Sequence, residues 1–248
     1  MNVVHASHRE DSLVGRRDPT YEIGMKLYRF RYSPYARKVQ ILLDLLGARY
    51  DVVEVPYSDR EEIARVTGGY IYVPVLVDGG KVITESRAIC EHLLAGEAGS
   101  RLVPSPWEGP IWAYADFTDG PLEDILFRIA SPAVRDGWKS ASDRALYVLI
   151  KERKFGAGCV DAWQRDQGTL IARAQHLLAP TIRTLASRRF LFGDAPTLAD
   201  AALYGQCQMI KEADPRLLSR IDERLSSFLD EVDARASRAS DGGGPARV

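Results

Sequence analysis

A strand-to-helix turn at residues 30–39 is the feature that most constrains this chain. Residues 25–30 have the composition of a short strand, and apolar residues then recur at the spacing of one buried helix face: Val39, Leu42, Leu43 and Leu46. Ser33 is a suitable N-cap for this helix, and Pro34 fits its first position, where a missing N–H is not needed. The turn therefore presents free backbone N–H groups, which attract anions, beside Ser33.

The residue types at this turn indicate thiol chemistry with a ligand as the source of the sulfur. Cysteines at positions 33 and 36 would make Cys-Pro-Tyr-Cys, the redox motif of glutaredoxins, but this chain has Ser33 and Ala36. A serine hydroxyl can donate a hydrogen bond to a bound thiolate, and such a bond contributes about 1.5–3 kcal/mol. We expect Ser33 to stabilise a ligand thiolate, although a simple N-cap would also explain the residue.

A proline stands at the mouth of a predicted β-hairpin. Two apolar runs flank Asp78-Gly79-Gly80, and Pro74 begins the first run. A cis Val73–Pro74 bond would turn the Val73 backbone outward, where an extended peptide could pair with it. An ordinary trans proline at a strand start is the alternative.

The hairpin leads into an amphipathic helix that starts near Glu85 and Ser86. The N–H and hydroxyl of Ser86 could hold a carboxylate, and Glu85 could accept a hydrogen bond from an ammonium. An amino-acid head group carries both charges. An N-cap with an acidic neighbour would give the same pattern for electrostatic reasons alone.

Together, these three segments resemble the glutathione site of the cytosolic glutathione S-transferases, and the string Ser-Pro-Tyr is similar to that of the serine-type members. The resemblance implies that Ser33 is catalytic and stabilises the glutathione thiolate. It implies that Val73 and Pro74 contact the cysteinyl backbone, and that Glu85 and Ser86 bind the γ-glutamyl end. Glutathione would be a co-substrate, and no metal is expected.

The same resemblance implies the fold class: an α/β thioredoxin-like N-terminal domain followed by an all-α C-terminal domain. The chain departs from the family at residues 68–73, where many members carry a basic residue that reaches the glycine carboxylate of glutathione, and this chain carries none. Lys38 and Arg65 are possible substitutes. Tyr32 and Tyr35 could supply supporting hydroxyls.

A second family signature lies near the C-terminal end. Thr197-x-x-Asp200 is a variant capping box in which aspartate replaces the usual glutamate or glutamine. It is similar to the family string that precedes a buried helix. We therefore assign Thr197, Asp200 and Gly193 to the fold and not to chemistry.

Composition shifts and Pro/Gly clusters predict five segments. The order of elements in the second segment is strand, helix, strand, helix, hairpin, helix. The segments are a flexible extension at 1–23, a domain at 24–95, a linker at 96–106, a helical domain at 107–236 and a flexible tail at 237–248; the resemblance implies that the domain at 24–95 is thioredoxin-like and binds glutathione.

The helical domain is expected to supply the pocket for a second substrate, because such pockets form between domains. The aromatic candidates for this pocket are Trp112, Tyr114, Phe117 and, further along, Trp138. Each of them could instead belong to the core. The resemblance implies a small apolar electrophile as the substrate and a homodimer as the assembly.

Composition narrows the function classes. With 46% hydrophobic and 27% charged residues, a chain of 248 residues can bury two modest cores. A net charge of −1 does not favour nucleic acid, and no apolar run is long enough to span a membrane. Cys90, Cys159 and Cys207 have no metal or CxxC spacing, which favours a cytoplasmic location. Cys159, which follows a glycine-rich stretch, is expected to be exposed.

The sequence thus supports a glutathione transferase that activates the glutathione thiolate for attack on an apolar electrophile. The main alternative is a non-catalytic relative that uses the same fold for binding or interaction. A glutathione-dependent lyase, dehalogenase or isomerase is a further alternative. A thiol oxidoreductase is disfavoured because positions 33 and 36 lack cysteine.

Overall fold

The structure, a computed structural model, describes residues 24–242. The predicted extension at 1–23 lies outside the described residues. The N-terminal part contains β1 Met25–Arg29, α1 Pro34–Leu46, β2 Tyr50–Glu54, α2 Glu61–Thr67, β3 Val75–Asp78, β4 Lys81–Thr84 and α3 Ser86–Leu94. The helical part contains α4 Glu97–Ser100, α5 Glu108–Phe117, α6 Glu123–Gly137, α7 Ala141–Phe155, α8 Cys159–Arg165, α9 Gln167–Leu185, α10 Leu198–Ala213, α11 Pro215–Ile221 and α12 Arg224–Gly242.

The four strands form one sheet in the order β2-β1-β3-β4. Strand β1 is parallel to β2 and antiparallel to β3, and β3 and β4 form the predicted hairpin. The hairpin turn uses Gly79 and Gly80, whose φ values of 57° and 84° suit glycine at both central positions. This arrangement confirms the thioredoxin-like order of elements and the all-helical region that follows it.

Helix α1 has the ends that its sequence predicts. The Ser33 hydroxyl oxygen accepts a hydrogen bond from the Ala36 N–H at 3.3 Å, and Pro34 occupies the first helical position. Gly47 ends the helix in the left-handed conformation, with φ 70°. These local signals fix the direction in which the chain leaves β1.

One large apolar core extends from the sheet through α1 into the helical part. Leu27 and Leu42 from the first part belong to the same buried cluster as Ile129 and Leu203 from the second. A much smaller cluster, formed around Tyr28, Ile63 and Val75, covers the other face of the sheet. The expectation of two modest cores is therefore corrected: the main core is shared.

Helices α1 and α10 approach so closely that a side chain would not fit between their backbones. A Cβ atom at Gly205 would lie 2.3 Å from the Pro34 carbonyl oxygen and 2.9 Å from the Lys38 nitrogen. Glycine is thus required at this position for packing reasons and not for its φ angle. The contact sets the first turn of α1, where Ser33 lies, directly against the helical part.

Helix α10 begins with the predicted capping box. The Asp200 carboxylate accepts hydrogen bonds from the Thr197 N–H and hydroxyl, both at 2.8 Å, and from the Leu191 N–H at 2.9 Å. Asp200 is fully buried, and burial raises its pKa to about 6 while these hydrogen bonds lower it. The box therefore joins the Leu191 loop to the start of the buried helix.

Two segment boundaries differ from the predicted ones. The segment 96–106, expected as a linker, contains the short helix α4 and the start of a 3₁₀ turn, Ser105–Trp107. Helix α12 continues to Gly242, although a flexible tail was expected from residue 237, and the Ala239 carbonyl lies close to Gly47 at the end of α1. Residues 243–248 lie outside the described part of the chain.

Candidate active site

The strand register brings the three predicted segments to one edge of the sheet, meaning the side at which β1 and β4 end and β3 begins. Tyr28 on β1 pairs with Val75 on β3, and Val75 pairs with Thr84 on β4. Ser33 follows the end of β1, Pro74 precedes Val75, and Glu85 follows Thr84. Residues separated by 11 to 52 positions in the chain therefore lie at the same end of the sheet.

Ser33 is positioned to donate a hydrogen bond. Its N–H donates to the Phe30 carbonyl at 3.0 Å, and its carbonyl accepts from the Arg37 N–H at 2.9 Å. Its hydroxyl oxygen accepts from Ala36, and among the described residues the hydroxyl hydrogen has no acceptor. The side chain is 7% exposed, which limits competition from water. The hydroxyl is thus available to an anionic ligand atom at the helix N-terminus.

The Val73–Pro74 peptide bond is cis, which confirms the prediction. Pro74 is buried and Val73 is half-buried. The ladders to β1 and β4 both end at Val75, so Val73 lies just beyond the paired part of the sheet.

Glu85 has an unusual backbone conformation. Its φ is 68°, and it is the one non-glycine residue with positive φ among the residues that the structure describes. Such conformations are costly for side-chain-bearing residues and cluster at functional sites. The Tyr70 hydroxyl donates to the Glu85 carboxylate at 2.8 Å, and burial together with this carboxylate raises the pKa of Tyr70 to about 12. Ser86, half-buried, is the first residue of α3.

Tyr35 and Lys38, which were expected to support glutathione binding, both contact Asp119. This residue lies in the π-helical turn Thr118–Leu122 between α5 and α6. The Tyr35 hydroxyl donates to the Asp119 carbonyl at 3.1 Å, and the buried Lys38 ammonium forms an ion pair with the Asp119 carboxylate. Lys38 is therefore not the free cation expected for the glycyl end. Arg65 is exposed on α2.

Tyr32 belongs to an aromatic group that joins the two parts of the chain. Its ring centroid lies 5.7 Å from those of Phe30 and Trp138, and Tyr57 lies 5.1 Å from Trp138. Burial strongly raises the pKa of Tyr32, so its hydroxyl remains a hydrogen-bond donor at neutral pH. The group borders a cavity of about 320 Å³ between the carboxyl ends of β1 and β2 and the helices α6 and α7.

Three of the four aromatic residues expected at the second-substrate pocket do not line this cavity. Trp112 packs under the Arg87 guanidinium, 4.0 Å from its ring, and the Tyr114 hydroxyl is hydrogen-bonded to Thr181 at 2.8 Å. Phe117 packs against Tyr114. Tyr114 faces α9 and Trp112 faces α3, whereas Trp138 lines the cavity.

Several residues near the site were not predicted from the sequence. Tyr57 and Arg60 follow β2, and the Arg60 guanidinium lies 4.2 Å from the Phe30 ring while donating to the Tyr57 and Ile71 carbonyls. Because β2 is parallel to β1, its carboxyl end lies at the same edge as Ser33, and the strand-end rule could have identified Tyr57. Asp143 on α7 could not be found in this way.

The cysteines are all buried and free. Burial raises the pKa of Cys90 to about 11 and that of Cys207 to about 12, so both are inert thiols. Cys159 was expected to be exposed and is 7% exposed, because it begins α8 with its side chain turned toward the core. Its thiol pKa is also raised.

Neither a metal cluster nor a membrane-spanning helix occurs in the described part of the chain. No group of three or more His, Cys, Asp or Glu side chains within residues 24–242 is arranged to hold a metal ion. No helix there combines the length and the apolar character needed to cross a bilayer.

Comparison with known proteins agrees with this geometry. Residues 27–101 match the family model described as glutathione S-transferase, N-terminal domain. A probable glutathione S-transferase of Nicotiana tabacum is 28% identical over 144 residues, which are 54% of this chain and 63% of that protein. The match thus spans less than two thirds of this relative. Maleylpyruvate isomerase of a Ralstonia species is 27% identical over 190 residues, covering 74% of this chain and 81% of that protein.

Among solved structures, a glutathione S-transferase of Ceriporiopsis subvermispora in complex with glutathione superimposes with a TM-score of 0.70. The match covers 86% of this chain and 97% of that one at 16% identity, a level that establishes the shared fold alone. The fold, the matched N-terminal model and the related sequences lead to one conclusion: residues 27–101 match the glutathione S-transferase N-terminal domain, and the chain as a whole is similar to glutathione S-transferases.

Proposed function

We propose that the protein is a glutathione transferase whose Ser33 hydroxyl stabilises the glutathione thiolate. The observation that carries the proposal is the convergence of Ser33, the cis Val73–Pro74 bond and the Glu85–Ser86 turn at one sheet edge. The free donor capacity of Ser33 supports its role.

Each part of the proposed site suits one part of glutathione. The α1 N-terminus and Ser33 face the thiolate, the Val73 backbone pairs with the cysteinyl unit, and Glu85 and Ser86 hold the γ-glutamyl ammonium and carboxylate. With an aryl chloride, the thiolate would attack the carbon that carries chlorine, a C–S bond would form, and chloride would leave with the C–Cl electron pair. The thiol proton goes to solvent before the attack.

Isomerisation at the same site is a second candidate function. It is favoured by one specific observation, the relative named maleylpyruvate isomerase, because the chain covers 81% of it. A non-catalytic binding protein would keep glutathione affinity without turnover. The three free cysteines fit a reducing compartment, and we propose that the protein acts in the cytoplasm.

Glutathione binding is tested by isothermal titration of the whole chain. We expect Glu85→Gln and Ser86→Ala each to weaken binding about 10-fold or more, because each loses a charge-assisted contact with the γ-glutamyl end. Glu85→Gln keeps an acceptor for the Tyr70 hydroxyl, so the turn is preserved. Glu108→Gln and Ser105→Ala, at exposed residues that begin other helical segments, are matched controls. Wild-type affinity in both site variants would refute the placement of glutathione.

Activity assays distinguish the three candidate functions: transferase, isomerase and non-catalytic binding protein. Conjugation of glutathione to a dinitro-substituted aryl chloride supports a transferase. Turnover of maleylpyruvate without conjugation supports an isomerase. Binding with neither activity identifies a non-catalytic relative.

We also propose a homodimer, as the family resemblance implies. Both parts of the chain expose large apolar side chains that a partner could cover: Ile71 and Tyr72 beside the site, and Trp107 and Leu149 on the helical part. Light scattering at micromolar concentration is expected to give about twice the chain mass of 27.6 kDa. A mass equal to that of one chain at every concentration would contradict the dimer.

A further inference from the structure

The cavity beside Tyr32 has a polar character that an apolar substrate would not match. Four buried side-chain nitrogen or oxygen atoms of the described residues have no hydrogen-bond partner: Tyr32 Oη, Trp138 Nε1, Asp143 Oδ1 and Gln206 Oε1. The first three belong to residues that line this one cavity. A buried polar group without a partner costs about 1–3 kcal/mol, and native structures contain few of them. Their clustering therefore indicates a ligand.

The three atoms differ in what they require. The Tyr32 hydroxyl and the Trp138 indole N–H are donors, so they need an acceptor on the ligand. The Asp143 carboxylate is an acceptor and needs a donor. Burial is the main cause of the raised pKa values of Tyr32 and Tyr57, which the Arg60 guanidinium lowers and Asp143 raises, so a cation and a carboxylate both lie near these phenols.

Among the described residues, Asp143 is the carboxylate of this cavity that lacks a cationic partner. Two other carboxylates line it, and both are paired: Glu54 with Arg29 at 2.6 Å, and Glu212 with Arg31 and Arg37 at 2.9 and 2.8 Å. Within residues 24–242, Asp143 forms no ion pair. Its charge disfavours an anionic group at the ligand position that faces it and favours a hydroxyl or amino group there.

The apolar part of the cavity lining favours a ligand with a planar ring. Phe30, Tyr57 and Trp138 present aromatic faces or edges to the cavity, and Val134 adds an aliphatic side. Aromatic side chains prefer stacked or edge-on contact with other rings. A volume of about 320 Å³ accommodates a ligand of one or two rings.

We infer that this cavity binds an aromatic co-substrate that carries a carbonyl or nitro acceptor for Tyr32 and Trp138 and a hydroxyl or amino donor for Asp143. The ligand's role as a co-substrate rests on the proposed function, whereas the ligand's chemistry rests on the cavity alone. The electrophile is therefore expected to be polar at two positions and not simply apolar.

The test uses non-electrophilic probes, so that binding is measured without glutathione. Three naphthyl ketones share the ring and the acceptor: 2-acetylnaphthalene, its 6-hydroxy derivative and its 6-carboxylate derivative. Titration calorimetry of the whole chain is expected to show the hydroxy ketone binding about 10- to 150-fold more tightly than the parent ketone, the range for one hydrogen bond to a charged group. The carboxylate is expected to bind most weakly.

Matched variants assign the effect to named atoms. Asp143→Asn is expected to remove most of the hydroxyl preference, and Tyr32→Phe or Trp138→Phe to weaken both neutral ketones while leaving the preference in place. Asp230→Asn, an exposed aspartate on α12, is the control. The Asp143 side chain makes no hydrogen bond to the described residues, so Asp143→Asn is expected to fold, and circular dichroism checks this.

Equal affinity of the hydroxy and parent ketones for wild type would overturn the inference, as would a hydroxyl preference that survives Asp143→Asn. The outcome is independent of glutathione. If the probes behave as expected and glutathione does not bind, the ligand class stands and the proposed transferase function falls. If glutathione binds and the probes show no preference, the proposed ligand class falls and the proposed glutathione site stands.

Discussion

Replacement of Asp200 by alanine is expected to lower the free energy of unfolding by about 3–5 kcal/mol. The carboxylate accepts three hydrogen bonds in a fully buried position, from the Leu191 N–H and from the N–H and hydroxyl of Thr197. Alanine would leave all three donors buried without a partner, and it would remove the capping box of α10. Urea denaturation followed by circular dichroism measures the loss.

Two variants test whether the loss comes from these contacts. Thr197→Ser keeps the hydroxyl and is expected to stay within about 1 kcal/mol of wild type. Asp230→Ala, at an exposed position of α12, is expected to change stability by no more than about 0.5 kcal/mol. A loss below about 1 kcal/mol for Asp200→Ala would show that the buried carboxylate does not stabilise this helix start.

Removal of the Ser33 hydroxyl is expected to lower kcat/KM for conjugation by about 10- to 150-fold at neutral pH. The lost hydrogen bond would raise the pKa of the bound glutathione thiol by about 1–2 units, since one unit corresponds to about 1.4 kcal/mol. The rate deficit should therefore shrink as the pH rises and the thiol ionises without help. Ultraviolet difference spectroscopy of the thiolate against pH measures the shift directly.

The N-cap role of Ser33 must be separated from its chemical role. Ser33→Gly removes the hydroxyl at a cap cost of only a few tenths of a kcal/mol, whereas Ser33→Ala loses about 1 kcal/mol of helix stability. Both variants are expected to lose the same activity if the hydroxyl acts on the thiolate, and Ser33→Thr is expected to recover part of it. Wild-type conjugation by Ser33→Gly, with an unchanged thiol titration, would leave Ser33 as a cap only. Tyr32 would then be the next donor to test.

The parts of the fold that the sequence predicted correctly depend on short-range chemistry. The Ser33 cap with Pro34, the glycine hairpin after Asp78 and the Thr197 to Asp200 box are each defined within about four residues. Steric and hydrogen-bonding rules act directly at that distance, so a single sequence carries the information. The roles of Ser33, Glu85 and Ser86 in binding stay predictions.

The parts that the sequence did not predict depend on how distant helices pack. Lys38 looked like a candidate ligand group, but the π-helical turn at Asp119 lies 81 residues away and pairs with it. Asp143 becomes a cavity residue only because α7 faces the ends of β1 and β2. Cys159 follows a glycine-rich stretch and was expected to be exposed, yet its side chain at the start of α8 is buried. No local pattern specifies these relations.

The shared core has a consequence for how the proposed glutathione site is maintained. Leu42 on α1 and Leu203 on α10 are buried in one cluster, and Gly205 brings the two helix backbones into contact. Loosening of the helical part would expose the inner face of α1 to water, and the first turn of that helix carries Ser33. We therefore expect the sheet and the helical part to unfold as a single cooperative unit. The free energy that keeps Ser33 in place is a property of the whole chain, although residues 24–95 carry every side chain proposed to hold glutathione.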